Sequence, residues 1–319
     1  MAKYLLIIVL LLAGALNARD VNVQGVAASD ADVARLTAQI EPAFSIVEKE
    51  TGLSDDEGLT LIVAGGSKGF AELAARDGVG MNAEGVLGYA MPGARKIVLN
   101  MSGIRERQME PIGVLRHEIA HLVMGASLRV AHPLWFEEGV AQYVESMALN
   151  ELRESAGATP FVDFEGLDDL NAALREEARA GAAYIEAREV IRLIVETYGD
   201  RAFRKLMQAL AGGEGPFAKA FETATGQALS EFDALWLKDY KARANDRTAS
   251  FFGRNFWWIL LGLTALLLPA FLVLLKLRGR SQVKQWEETE KYFPSDPAWS
   301  YHDDELDSFT PEDPDAWKR

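Results

Sequence analysis

Apolar positions along the chain fall into three regimes: two uninterrupted runs near the ends and a long amphipathic stretch between them. Tyr4 to Leu12 is a short apolar run behind Lys3, followed by Ala13, Gly14 and Ala15. A basic start, a brief apolar core and an A-x-A end predict a secretory signal peptide over residues 1–18, cleaved after Ala15 or Ala18. Phe256 to Leu275 carries no charge and lies between Arg254 and the cluster Lys276, Arg278 and Arg280. About twenty helical residues rise ~30 Å, so a transmembrane helix is expected over 256–276. The positive C-terminal flank assigns that end to the cytoplasm and places Trp257 and Trp258 at the outer interface.

Between these runs, residues 19–250 read as one extracytoplasmic domain. Val33, Leu36, Ile40, Phe44 and Val47 recur at three- and four-residue steps and predict a helix over Ala31–Lys49. Leu59 to Val63 is a short apolar run ending at Gly65-Gly66, a buried strand, and a helix over Lys68–Arg76 follows. Gly85–Ala90 and Lys96–Asn100 flank a Pro-Gly turn at Met91–Ala94 and read as two further strands. From Glu110 the periodicity is helical, with Pro111 suited to a first turn. Later helices are expected over Leu134–Leu149, Gly166–Ala180, Ala182–Tyr198, Arg201–Leu210, Pro216–Thr225 and Ser230–Ala244. A small β-sheet followed by a mainly helical body is an α+β order. Residues 277–319 form an acidic cytoplasmic tail with four prolines beyond Ser281 and little periodic hydrophobicity, expected to be disordered. Its aromatics, among them Trp286, Trp299 and Trp317, are candidate anchors for a cytoplasmic partner.

Composition narrows the chemistry. The 319 residues include no cysteine, which excludes a thiol nucleophile, a Cys-ligated metal and a disulfide framework. A transition metal must then be held by carboxylates and by the four histidines His117, His121, His132 and His302. A formal charge of −14 argues against a nucleic-acid partner, which requires a basic surface.

His117-Glu118-Ile119-Ala120-His121 is an H-E-x-x-H sequence. Residues four apart share a helix face, so both imidazoles can reach one ion. Zinc accepts neutral His nitrogen and carboxylate oxygen and keeps a fourth position for water, and Glu118 is placed to take that water's proton. His132 can face the cleft but, next to Pro133, reads as a loop residue, and Arg116 reads as a surface residue.

Two ligands are an incomplete set. Downstream stands Trp135-Phe136-Glu137-Glu138-Gly139-Val140-Ala141. Here the chain resembles the gluzincin zinc metallopeptidases, the group that contains thermolysin and the zinc aminopeptidases, and more closely their envelope-associated peptidase MA-like relatives. Those families pair an HExxH helix with a second helix bearing W-L-x-E-G-x-A, whose Glu is the third ligand. The resemblance covers roughly residues 59 to 244. It implies one Zn²⁺ on His117, His121 and Glu138, with Glu118 as general base and Glu137 an exposed neighbour. It also implies an oxyanion donor, for which Tyr184 occupies the matching region and Tyr143 is the alternative, and an edge strand for an extended peptide, assigned to Lys96–Asn100. In many relatives an acidic residue four positions after the ligand Glu orients a zinc-bound His; here that position is Gln142, whose amide oxygen can accept an imidazole N–H or which is a plain helix-surface residue.

The function implied is hydrolysis of peptide bonds in a peptide or protein of the cell envelope, at a periplasm-facing site anchored in the inner membrane. The rival reading is an inactive zinc-binding or metal-free assembly or sensor module. Zinc-assisted hydrolysis of cell-wall or lipid amides is a third.

Overall fold

The computed structural model describes residues 19–79, 86–147 and 162–292. The predicted signal peptide and the tail beyond Tyr292 lie outside the described residues. The chain divides into two compact units after Ser250.

The first unit begins with strand β1 (Val21–Val26), helix α1 (Asp30–Thr51), strand β2 (Leu59–Ala64) and helix α2 (Ser67–Arg76). Strand β3 (Gly88–Met91), a 3₁₀ turn at Pro92–Ala94, strand β4 (Lys96–Asn100) and the short helix α3 (Met101–Glu106) follow. The strands form one sheet in the order β1-β2-β4-β3, parallel except for β3, which runs antiparallel along β4. Two strands in the sequence reading need amendment. β1 was not anticipated: its three valines are interrupted by polar residues, and half of its positions are exposed at the sheet edge. β4 was assigned to the edge but is interior, paired on both sides; β3 is the edge strand on that side.

Because strand side chains alternate between faces, the sheet feeds two cores. Leu59, Leu61, Val63, Ile97 and Leu99 join α1 and the later helices in the main core. Ile62, Ala64, Tyr89 and Val98 meet Phe70, Leu73 and Ala74 of α2 on the opposite face.

The helical body comprises α4 (Pro111–Ser127), α5 (Leu134–Met147), α6 (Leu167–Ala173), α7 (Glu177–Tyr198), α8 (Asp200–Gly212) and α9 (Phe217–Thr225). Pro111 does open α4, and the Glu110 side chain caps it by accepting from Ile112 N–H at 3.3 Å. One boundary differs from the sequence reading. The helix expected over Gly166–Ala180 is interrupted at Leu174–Glu176, and α7 continues through Gly181, whose Cα faces open space. A glycine in a helix costs only about 1 kcal/mol relative to Ala, so it need not end one. The fold is therefore α+β, a small mixed sheet followed by a mainly helical body.

The last helix, α10, runs from Leu229 to Tyr292. Within the first unit its Phe232, Trp236 and Tyr240 are buried. Within the second unit, Asn255–Arg278 is long and apolar enough to cross a membrane, with a mean hydropathy of 2.5. None of that stretch is buried, and Trp257 and Trp258 are 75% and 72% exposed. A soluble core helix would hide such a run.

Candidate metal centre

The site is built by α4, α5 and α7 with β3 alongside. Apolar residues of α4 (Val114, Leu115, Ile119, Leu122, Val123) are buried in the main core, which fixes the helix's rotation and turns His117 and His121 toward α5. In α5, Trp135 and Phe136 are buried against Phe217, with ring centroids 5.8 and 5.0 Å away. Gly139 lets α5 approach α7 closely: a Cβ there would lie 2.4 Å from the Ala187 carbonyl oxygen.

His117, His121 and Glu138 each offer one donor atom, all within 4.8 Å of one another. The two Nε2 atoms stand 3.1 Å apart, and Glu138 Oε2 is 3.6 Å from that of His117 and 3.5 Å from that of His121. The outer nitrogens decide what this triangle can hold. His117 Nδ1 lies 3.1 Å from Glu145 Oε2 and His121 Nδ1 lies 3.2 Å from Glu137 Oε1. An ionised carboxylate only accepts, so each Nδ1 carries a proton and donates it. In the neutral rings both Nε2 atoms then present lone pairs to the same point, beside a third negative donor. Two acceptors cannot hydrogen-bond each other, so a proton or a metal ion must stand between them. The donor set fits a metal that takes imidazole and carboxylate.

Proton affinities follow the same logic. Burial lowers the pKa of both imidazoles, but the carboxylates outweigh it: Glu138 and Glu145 hold His117 well above the ordinary range, and Glu137 and Glu138 raise His121 to about 9. Burial opposes the charge on Glu138, yet His117 and His121 bring its carboxyl down to about 2. Glu118, only 6% exposed, is raised by burial against the pull of the two histidines.

The structure amends three assignments around this triangle and locates His132 beside it. Glu137 is no idle neighbour: it bridges His121 and His132, whose Nε2 is 3.5 Å from Glu137 Oε2. His132 thereby joins the site's margin from its loop, its Nδ1–H donating to the Val130 carbonyl at 2.9 Å. The orienting role considered for Gln142 is filled instead by Glu145, two turns beyond Glu138 on the same helix face. Arg116 is not a surface residue; it is 9% exposed, with Nε and Nη1 lacking a hydrogen-bond partner among the described residues. Burial lowers its pKa, with Glu110 and Glu145 opposing. The signal for Glu137 and Glu145 was present in the sequence as carboxylates one residue before and seven after Glu138, but which imidazole each meets depends on how α4 and α5 cross.

The two tyrosines separate. Tyr143 is buried at 6.4 Å from the Phe203 ring, and its pKa rises to about 12 through burial and the charges of Glu50, Asp200 and Glu196, none of them at the centre. Tyr184 is also raised to about 12, first by burial and then by Glu138 and Glu118, so its hydroxyl lies in the field of the site. Of the two, only Tyr184 feels the charges of the centre.

Strand β3 borders α4 beside Glu118: a Cβ on Gly88 would fall 2.8 Å from Glu118 Oε1. The peptide edge available to the site is therefore β3, not Lys96–Asn100.

No known family profile matches the chain, and no curated protein does. Solved structures similar to it include two of one enzyme. One is the M1 zinc metallopeptidase from Deinococcus radiodurans, at 16% identity and a TM-score of 0.40, covering 62% of this chain and 43% of that one. The other is a point mutant of the same enzyme, at the same identity and TM-score, with 44% of its chain covered. The chain thus spans less than half the length of the zinc metallopeptidases to which it is similar.

Proposed function

We propose that the chain is a zinc-dependent peptidase, anchored by the Asn255–Arg278 helix with its catalytic unit outside the cytoplasm, that hydrolyses peptide bonds of envelope peptides or proteins. The observation that carries this reading is the convergence of two Nδ1-tethered imidazoles and the Glu138 carboxylate on one point, with the Glu118 carboxylate beside it.

His117, His121 and Glu138 would hold the ion. When bound, zinc lowers the pKa of water to about 7 and polarises a carbonyl. The remaining chemistry falls to the chain's own side chains. Glu118 takes a proton from the attacking water onto its carboxylate and delivers it to the departing amide nitrogen. Its raised proton affinity suits both halves of that task. Tyr184 donates its hydroxyl proton in a hydrogen bond to the oxygen that gains charge, and stays protonated in doing so because its pKa is well above neutrality. The edge of β3, unpaired among the described residues, pairs with an extended peptide and aligns its carbonyl across Glu118.

The membrane assignment rests on the exposed apolar helix, and its basic C-terminal flank, Lys276, Arg278 and Arg280, supports a cytoplasmic tail. The test is metal analysis of the purified, detergent-solubilised chain, with cleavage of unfolded casein compared between wild type and Glu118→Gln. One zinc per chain, with cleavage by the wild type alone, supports the reading; retained zinc with no cleavage by either replaces it with a binding module.

A further inference from the structure

Glu118 is held in an unusual way. Its carboxylate accepts no hydrogen bond from any described residue, although the residue is 6% exposed. That leaves both oxygens free for water and substrate, but it also leaves the carboxylate's position to be set by contact alone. The contact is with the backbone of β3. An ideal Cβ on Gly88 would lie 2.8 Å from Glu118 Oε1 and 3.1 Å from its carboxyl carbon, with Leu99 Cδ2 at 3.0 Å on the other side. Real Cβ atoms do not come so close to another heavy atom, so any side chain at Gly88 must move either the carboxylate or Leu99.

The strand is not free to retreat. Gly88 pairs with Leu99 in the β3–β4 ladder. A few residues along, the Pro92 ring is packed on Gly125 of α4, where a Cβ would fall 2.3 Å from Pro92 Cγ. Strand and helix are thus seated on each other at two glycines, one on each element. Leu99 is fully buried in the main core and has little room to yield. The carboxylate is the softer neighbour.

We infer that Gly88 is a positioning residue for Glu118: its bare Cα is the wall that sets where the carboxylate stands relative to the metal centre. This rests on the reading of Glu118 as general base, and the experiment separates the two. A double-mutant cycle on the full chain in detergent, loaded with zinc, combines Gly88→Ala with Glu118→Asp, whose shorter side chain draws back from the added methyl. Two readouts are taken: kcat and KM on fluorescently labelled casein, and the apparent unfolding midpoint.

Gly88→Ala is expected to keep its zinc and lower kcat by about 10-fold, since relieving the overlap moves the carboxylate by only part of the ~1 Å that costs about 100-fold, with KM little changed. It also lowers the unfolding midpoint by a few degrees. Adding Glu118→Asp recovers that midpoint, and the Asp substitution costs less kcat in the Gly88→Ala background than alone. Gly93→Ala, at a position with nothing within 4 Å of its Cβ, leaves both readouts unchanged. Additivity in the cycle, or wild-type kcat in Gly88→Ala, overturns the inference. Should Gly88→Ala fail to accumulate, recovery of folded protein by the pair supports it, and failure of both overturns it. If the wild type cleaves nothing, the peptidase reading falls, while the unfolding cycle still decides whether Gly88 places Glu118.

Discussion

His117 Nδ1 and the Glu145 carboxylate stand 3.1 Å apart, and Glu145 lies two turns beyond Glu138 on the same helix. One face of α5 therefore supplies both the third donor of the centre and the group that fixes the tautomer of its first histidine. Glu137, from the adjoining position, does the same for His121 at 3.2 Å. Removing such partners leaves the ligand present but free to rotate or to carry its proton on the wrong nitrogen. Glu145→Ala and Glu137→Ala are each expected to weaken zinc affinity by about 10- to 100-fold without abolishing binding. Competition with a chromophoric chelator measures this. Unchanged affinity in both variants would show that the ion does not depend on these tethers.

The sequence makes part of this site visible and hides the rest for physical reasons. His117 and His121 share a helix face by spacing alone, and the apolar flanks Val114, Leu115, Ile119 and Leu122 define which face is core. Glu138 was reached through resemblance to a second-helix motif, since nothing local distinguishes it from Glu137. The partners Glu137 and Glu145, the burial of Arg116 and the place of β3 at the sheet edge all depend on contacts between elements far apart in sequence. Element boundaries failed where local signals misled: Gly181 was read as a break and lies within α7, whereas the interruption at Leu174–Glu176 has no Gly or Pro to mark it. The helix expected over Ser230–Ala244 does not stop at Asn245 or at Gly253, and α10 continues into the apolar run.

Glu118→Gln keeps the size of the side chain and removes its ability to take a proton. Because Glu118 is not a member of the His117-His121-Glu138 triangle, zinc content should match the wild type. Casein cleavage should fall by about 10²- to 10⁴-fold, the usual contribution of a positioned general base. Loss of zinc in this variant would place Glu118 among the ligands instead.

The acid–base chemistry of the triangle predicts different pH responses with and without metal. In the metal-free chain His117 and His121 are raised above the ordinary imidazole value of about 6.5, His121 to about 9. A raised pKa contributes stability that is complete below the unfolded value and is lost as pH rises through the folded one. Glu138, lowered to about 2, contributes stability present above the unfolded carboxyl value and lost as pH falls toward 2. The chelated protein should therefore become less stable as pH is raised from about 6 to 9. Zinc replaces the protons that the imidazoles would otherwise share, so the loaded protein should not show this loss, and zinc affinity should rise over the same interval. Unfolding midpoints with and without a chelator across that range test the sign. A metal-free protein equally stable at both ends would refute the assigned proton affinities.

Tyr184→Phe removes one hydroxyl from α7 while keeping the ring that packs against the core. If that hydroxyl stabilises the oxyanion, kcat should fall by about 10²- to 10³-fold with zinc content and folding unchanged. Tyr143→Phe, whose hydroxyl lies in the field of Glu50, Asp200 and Glu196 rather than of Glu138 and Glu118, should leave kcat near wild type. A larger kcat loss for Tyr143→Phe than for Tyr184→Phe would reverse the assignment.

Gly139, next to the third donor, sets how closely α5 lies on α7. A methyl there would meet the Ala187 carbonyl oxygen at 2.4 Å and Ile191 Cγ1 at 2.8 Å, and the first of these is helix backbone that no side-chain rotation relieves. Gly139→Ala must therefore push the two helices apart. Overpacking of this kind costs about 1–3 kcal/mol, partly offset by the better helix propensity of Ala. The displacement also carries Glu138 away from His117 and His121, because all three donors are placed by the packing of α4, α5 and α7. Two effects are expected together: a lower unfolding midpoint in the metal-free chain and weaker zinc binding in what remains folded. A substitution that destabilised the chain while leaving zinc affinity intact would show that Glu138 can follow its ligands independently of where α5 rests.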